Sequence, residues 1–233
     1  MKKILFVLTA SAAIISCSKV KDGEYLITGT ATGIENGKTI ILQGADPATR
    51  MPVSLDTVKV ENGKFEIKGK VTEPAFHTLI LQGANGPIPF ILETGEIKIA
   101  IDKDSIHKSK VSGTYNNDEY VTFMEDMNKT QKSLMDFQKK NNTKMQQAQQ
   151  AQDTATINGL MKQYMELQKE VQEGSKKKYL AYAENHPKSF ITALIIQSLL
   201  NDPTADTKKL ESLYSTLDES LKNTAPGKEI KTR

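Results

Sequence analysis

The sequence predicts an α+β protein. An amino-terminal antiparallel β-sandwich or partly open barrel of about eight strands is followed by a helical bundle built on a long antiparallel helix pair. Three observations predict this. Eleven of the 14 glycines and five of the eight prolines in the 233-residue chain lie between Gly23 and Gly113. From Thr114 to His186 there are two glycines and no proline, and Gln, Lys, Met and Asn dominate. The apolar spacing changes at the same border, from every second residue to every third or fourth.

The strands come first. Val58 and Val60 alternate with Thr57 and Lys59, Phe65 and Ile67 with Glu66 and Lys68, and Ile97, Ile99 and Ile101 with Lys98, Ala100 and Asp102. Period two with one polar face is the pattern of a half-buried antiparallel strand. Further strands are expected at residues 25–31, 39–43, 76–82, 88–93 and 107–112. Asn36-Gly37, Asn62-Gly63 and Asn85-Gly86 supply positive-φ turn positions, and the middle pair is placed to close a tight hairpin. Two pairs of segments resemble each other. Residues 39–46 (TIILQGAD) match 78–85 (TLILQGAN), and 25–29 (YLITG) match 65–69 (FEIKG). They are read either as a duplicated strand pair, with equivalent loops at residues 45–51 and 84–89, or as the ordinary recurrence of strand and turn patterns. We favour the second.

The helices follow. Tyr120, Phe123, Met127, Leu134 and Phe137 form one stripe, and Ile157, Leu160, Tyr164, Leu167 and Val171 another. These are the facing positions of an antiparallel pair. The polar, Gln-rich segment 141–153 is expected to form the turn between them, Gly174 to weaken the second helix, and that helix to end before Pro187. Residues 189–200 predict a buried helix. Asp202-Pro203 breaks it, and residues 206–221 predict a last amphipathic one. Residues 224–233 read as a tail or linker stub. The expected organisation is a signal peptide (1–16), a lipidated tether (17–23), a β-domain (24–114), a helical domain (115–223) and the tail.

The amino terminus reads as an address. Lys2 and Lys3 precede a twelve-residue apolar run, residues 4–15, interrupted by Thr9 and Ser11. A spanning helix needs about 20 apolar residues, so this run reads as a signal-peptide core. It ends in Ile14-Ile15-Ser16-Cys17, which resembles the bacterial lipobox. The resemblance implies cleavage after Ser16 and acylation of Cys17, the single cysteine of the chain. Several acyl chains give stable anchoring. The residues behind it, Ser18-Lys19-Val20-Lys21, lack an acidic export run. The expected location is the membrane facing the periplasm, on the outer membrane.

The remaining residues point away from catalysis. The formal charge is +3. Removing Lys2 and Lys3 leaves 29 basic against 28 acidic residues, which argues against nucleic acid and against a polyanion face built on bulk charge. One cysteine permits no disulfide and no dithiol. His77, His107 and His186 have no helical metal-ligand spacing, so no metal or cofactor is expected. His77 reads as a core or rim histidine and His186 as a helix-end charge. No Gly-x-Ser-x-Gly elbow or phosphate-binding loop occurs. Glu93 and Glu96, which flank a turn, read as solvated charges, and Lys176-Lys177-Lys178 as a solvated face. Met124, Met127, Met135, Met145, Met161 and Met165 are either core packing or an adaptable binding stripe, and we favour packing.

The order of motifs resembles a known family. A lipobox precedes residues 25–29 (YLITG), 56–58 (DTV) and 62–69 (NGKFEIKG). Residues 90–95 (FILETG), 111–114 (VSGT) and, after long helices, 185–189 (NHPKS) follow. This order is similar to the amino-terminal region of Bacteroidetes-type thioredoxin-like lipoproteins of the AhpC/TSA or thiol:disulfide interchange kind. Their β-rich first domain has no assigned function. The reading is a non-catalytic, membrane-anchored binding or structural module that takes either a protein partner, for which the resemblance suggests a thioredoxin-like protein, or a small envelope ligand. The alternative is the non-catalytic half of a thiol:disulfide oxidoreductase whose Cys-x-x-Cys domain is missing. Family members carry that motif further on; here Cys17 is assigned to lipid, so no catalytic residue is carried over.

Overall fold

The structure, a computed structural model, describes residues 20–46 and 48–233. The lipidation site expected at Cys17 lies outside them. Eight strands form two four-stranded sheets. The first has the order β4-β1-β7-β8 and the second β3-β2-β5-β6. The strands are β1 (Glu24–Thr30), β2 (Thr39–Ala45), β3 (Pro52–Lys59), β4 (Lys64–Lys70), β5 (Ala75–Leu81), β6 (Ile88–Leu92), β7 (Gly95–Ala100) and β8 (Lys110–Ser112). Their inward faces supply one core, with Ile27, Ile40, Leu42, Leu79, Phe90, Ile97 and Ile99 almost fully buried. The α+β class holds, and the sheets stack as a sandwich rather than closing into a barrel.

Two strand expectations are corrected. The sheets are not wholly antiparallel, because β1 and β7 pair in parallel. Alternation reports which face a side chain takes, not strand direction. The long connection through β2–β6 leaves β7 free to enter alongside β1 in the same sense. Asn62-Gly63 does form a tight two-residue turn, with φ of 51° and 69° and reciprocal bonds between Glu61 and Lys64. The strands it joins are not partners, though. β3 pairs with β2 and β4 with β1, so the chain crosses from one sheet to the other at this turn. His107 is also displaced, falling in a short 3₁₀ turn (Ile106–Lys108) before β8.

The register supports the repeat that sequence reasoning set aside. The matched segments pair with each other, each about a local two-fold. In β1–β4, Ile27 faces Ile67, Tyr25 faces Gly69 and Gly29 faces Phe65. In β2–β5, Ile41 faces Ile80, Ile40 faces Leu81 and Leu42 faces Leu79. Each aromatic ring of the first pair lies over the opposed glycine, where an added methyl would overlap Phe65 or Tyr25. Because β2 and β5 run antiparallel, the loops after them lie at opposite ends of the second sheet. They do not combine into one surface.

The helices are α1 (Tyr115–Gln150), α2 (Thr154–Asn185), α3 (Phe190–Leu199), α4 (Thr207–Thr216), α5 (Glu219–Lys222) and α6 (Ala225–Lys231). The Gln-rich segment is not the turn. Helix α1 runs through it for 36 residues, about 54 Å at 1.5 Å per residue. Gln, Lys and Met are good helix formers, and their polarity marks exposure rather than coil. The turn is Ala151-Gln152-Asp153, where Gln152 has φ 54° and Asp153 caps α2 by accepting from the Thr156 amide. Gly174 does not interrupt α2. The expected last helix is split at Leu217-Asp218, where Asp218 caps α5. The tail is also ordered as a helix. Thr224 caps α6, Pro226 sits in its first turn, and Ile230 is buried in the second core with α3 and α4.

Candidate binding and junction sites

A latch of two asparagines and one carboxylate joins the sandwich to the helices. Both asparagines lie in the first turn of α1 and are buried. Strand β6 is the edge of the second sheet, and at Ile91 its free amide and carbonyl point toward α1. The Asn117 carboxamide meets both, accepting from Ile91 N at 2.9 Å and donating to Ile91 O at 2.7 Å. One side chain thus takes the place of a missing strand. Asn116 donates its carboxamide N–H to Glu93 at 2.6 Å, and its own backbone amide donates to the same carboxylate at 3.0 Å. Its carbonyl accepts from the Phe190 amide at the start of α3, at 2.7 Å. Glu93 is therefore a buried joint rather than the solvated turn charge expected. Glu96 is separate from it, exposed on the first sheet and accepting from the Thr28 hydroxyl at 3.2 Å.

One turn further along α1, Glu119 reaches the corner between α2 and α3. Its carboxylate accepts from the Tyr182 hydroxyl at 2.5 Å and lies 2.7 Å from His186 Nδ1. The Tyr182 hydroxyl also meets Ser189 Oγ at 2.9 Å, and Ser189 caps α3. The Tyr182 and His186 rings stack at 4.2 Å. Burial, reinforced by the bond to Glu119, pushes the Tyr182 phenol well above its ordinary range, so it stays a neutral donor. Ser189 is fully buried and is engaged as a cap and hydrogen-bond partner. His186 is the helix-end residue the sequence suggested, with Glu119 as an added partner. The cluster positions helices.

The other histidines and the lysine run have structural roles or none. His77 is half-buried, with Nδ1 3.0 Å from Ala75 O, and burial lowers its pKa. It borders a small cavity of about 290 Å³ beside Phe76 and Arg50. His107 is exposed. Lys176 and Lys178 are not simply solvated. Lys176 binds Asp202 at 2.8 Å, and Lys178 binds Asp126 on α1 at 2.7 Å. Hydrogen bonds from Lys176 and Thr204 hold the Asp202 carboxyl down at about 2. Lys177 is exposed. Among the described residues, no three His, Cys, Asp or Glu side chains gather as metal ligands. No helix among them is long and apolar enough to cross a membrane.

The methionines divide, and the expectation of core packing holds for few of them. Met127 is 3% exposed in the seam between α1 and α2, but Met135, Met161 and Met165 are 66%, 50% and 64% exposed. Past the junction, among the described residues, α1 and α2 pack chiefly on each other. Two helices alone cannot close a seam, so Leu134, Phe137, Tyr164 and Leu167 stay half-buried. A groove of about 810 Å³ runs along this distal pair, lined by Met135, Phe137, Met145, Leu160, Met161 and Tyr164. Met165 lies one turn from Met161 on the same helix face.

Sequence reasoning missed Asn116, Asn117 and Glu119. The available signal was two adjacent asparagines, poor helix formers, in the first turn of a long helix. Residues 25–120 match the family model described as a domain of unknown function (DUF4369). That span covers the sandwich and the first turn of α1, with both latch asparagines. The chain thus carries an amino-terminal domain of unknown function. No curated protein and no solved structure matches the chain.

Proposed function

We propose that this chain is an exported lipoprotein, held through Cys17 at the periplasmic side of the outer membrane. There it acts as a non-catalytic module that binds a protein partner on its distal helix pair. The observation that carries this reading is the methionine-lined groove. Flexible, polarizable thioethers exposed along a helix pair suit a surface that adapts to another protein. The lipobox-like Ile14-Ile15-Ser16-Cys17 supports the anchor. The engagement of Glu93, Asn116, Asn117 and Ser189 in holding elements together supports a scaffold rather than a reacting centre.

The finer reading is a module of the kind attached to thioredoxin-like domains, with a thioredoxin-like protein as the partner. The order of motifs from residues 25–29 to 185–189 supports it. The test titrates methyl-labelled methionine protein with a purified thioredoxin-like protein that carries Cys-x-x-Cys. Signals of Met135, Met161 and Met165 are expected to shift, while buried Met127 serves as the internal control. Unchanged methionine signals at millimolar partner overturn the partner assignment. Intact mass of protein extracted from its native membrane tests the anchor. Acyl mass on a chain beginning at Cys17 is expected, and an unacylated chain overturns it.

A further inference from the structure

The outer face of the first sheet carries a trough at the end where β1 finishes. Its floor is small side chains in register. Thr30 lies beside Ala100, with Lys64 of β4 on one flank and Lys110 of β8 on the other; in the next row Glu66, Thr28, Lys98 and Ser112 stand side by side. Strands are about 4.8 Å apart, so Lys64 and Lys110 flank a floor roughly 14 Å wide. The trough holds about 1060 Å³, and Lys59 and Glu61 close its rim.

Charge here is one-sided in a way the near-neutral chain conceals. Among the described residues, Lys59, Lys64, Lys98 and Lys110 make no ion pair within 4.0 Å. Of the two lining carboxylates, Glu66 is taken by Lys68 at 2.6 Å, which leaves Glu61. Protection of sheet edges accounts for lysines on β4 and β8. It does not account for Lys98, because β7 lies between β1 and β8.

We infer that this trough binds an acidic oligosaccharide, with its carboxylates on Lys64, Lys98 and Lys110 and its hydroxyls on Thr30 and Ser112. Backbone groups on a sheet face are already used in the ladder, so an acidic peptide gains no main-chain bonds there. Nucleic acid needs stacking platforms, and the one lining aromatic, Phe65, is turned inward over Gly29. The trough lies about 20 Å along β1 from Glu24 by strand rise, at the end of that strand farther from the chain's amino terminus. It is remote from the methionine groove and stands or falls separately from the partner reading.

The test follows backbone amide signals while oligogalacturonate is added. Shifts are expected at Thr28, Thr30, Lys98, Ala100 and Ser112, with no response to the neutral galactose oligomer of equal length. The combined K64Q, K98Q and K110Q variant, altered only at exposed positions, is expected to bind roughly tenfold more weakly, since each surface charge pair contributes a few-fold at most. Absence of shifts at these amides, or undiminished binding by the variant, overturns the site. Inorganic tripolyphosphate binding as tightly as oligogalacturonate overturns the assignment to a glycan.

Discussion

In the sandwich, two sheets cover each other's inner faces, and residues such as Ile27, Ile40, Leu42, Leu79 and Phe90 are sealed from water. Along the distal part of α1 and α2, only Met127, Ala148 and Leu160 are buried, although the apolar stripe continues. The number of layers makes the difference. A sheet paired with a sheet closes its core, while two lone helices leave both margins of their seam wet. One region therefore carries stability and the other carries surface.

Phe90→Ala tests the closed region with the largest effect. Phe90 is fully buried, and truncation of such a ring costs about 3–5 kcal/mol, measured by denaturant unfolding. Asn117→Ala comes next. It strands the Ile91 amide and carbonyl at the sheet edge, a loss of about 2–4 kcal/mol. The same variant should separate the two regions, so that proteolysis cuts α1 and α2 while the sandwich persists. If unfolding stays single and protease resistance is unchanged, the latch is not what couples them. Gly29→Ala drives a methyl into Phe65 and should cost about 1–3 kcal/mol. Gly69→Ala, its two-fold mate against Tyr25, should behave alike, and strongly unequal losses would break the equivalence of the repeats.

The smaller effects belong to the helices. The Asp202 carboxyl is depressed to about 2 from an ordinary 3.8. The stability it contributes is therefore complete above about pH 4 and is lost as pH falls through 2. In an acid titration, Asp202→Asn should lose that part of the pH dependence and keep the rest. Met161→Gln should change stability by less than about 0.5 kcal/mol, as for an exposed site, while weakening partner binding. A large stability loss would mean the groove is closed core after all.

Legibility followed the same divide. Period-two alternation marked three strands, the spacing of turn signals suggested the others, and the break at Gly113–Thr114 located the start of α1, because these report local burial and turn chemistry. The same signals misplaced the α1–α2 turn, since a Gln-rich stretch reads as polar whether it is loop or exposed helix. The direction of β7 was not legible either, as alternation is identical in parallel and antiparallel pairs. Glu93 shows the difficulty at the candidate sites. Beside Thr94-Gly95 it looks like any turn carboxylate, and only the approach of Asn116 from α1 buries it.

The sequence by itself determined the class of most elements, the two-part order of the fold and which strand faces turn inward, because these depend on neighbours a few residues away. Tertiary structure alone decided that the repeated segments pair with each other and that Asn117 completes a sheet edge. It also decided that Met135, Met161 and Met165 stay in water and that four lysines without an ion pair among the described residues share one trough. Each of those depends on which distant surfaces meet, and the local pattern of a chain does not record what comes to lie against it.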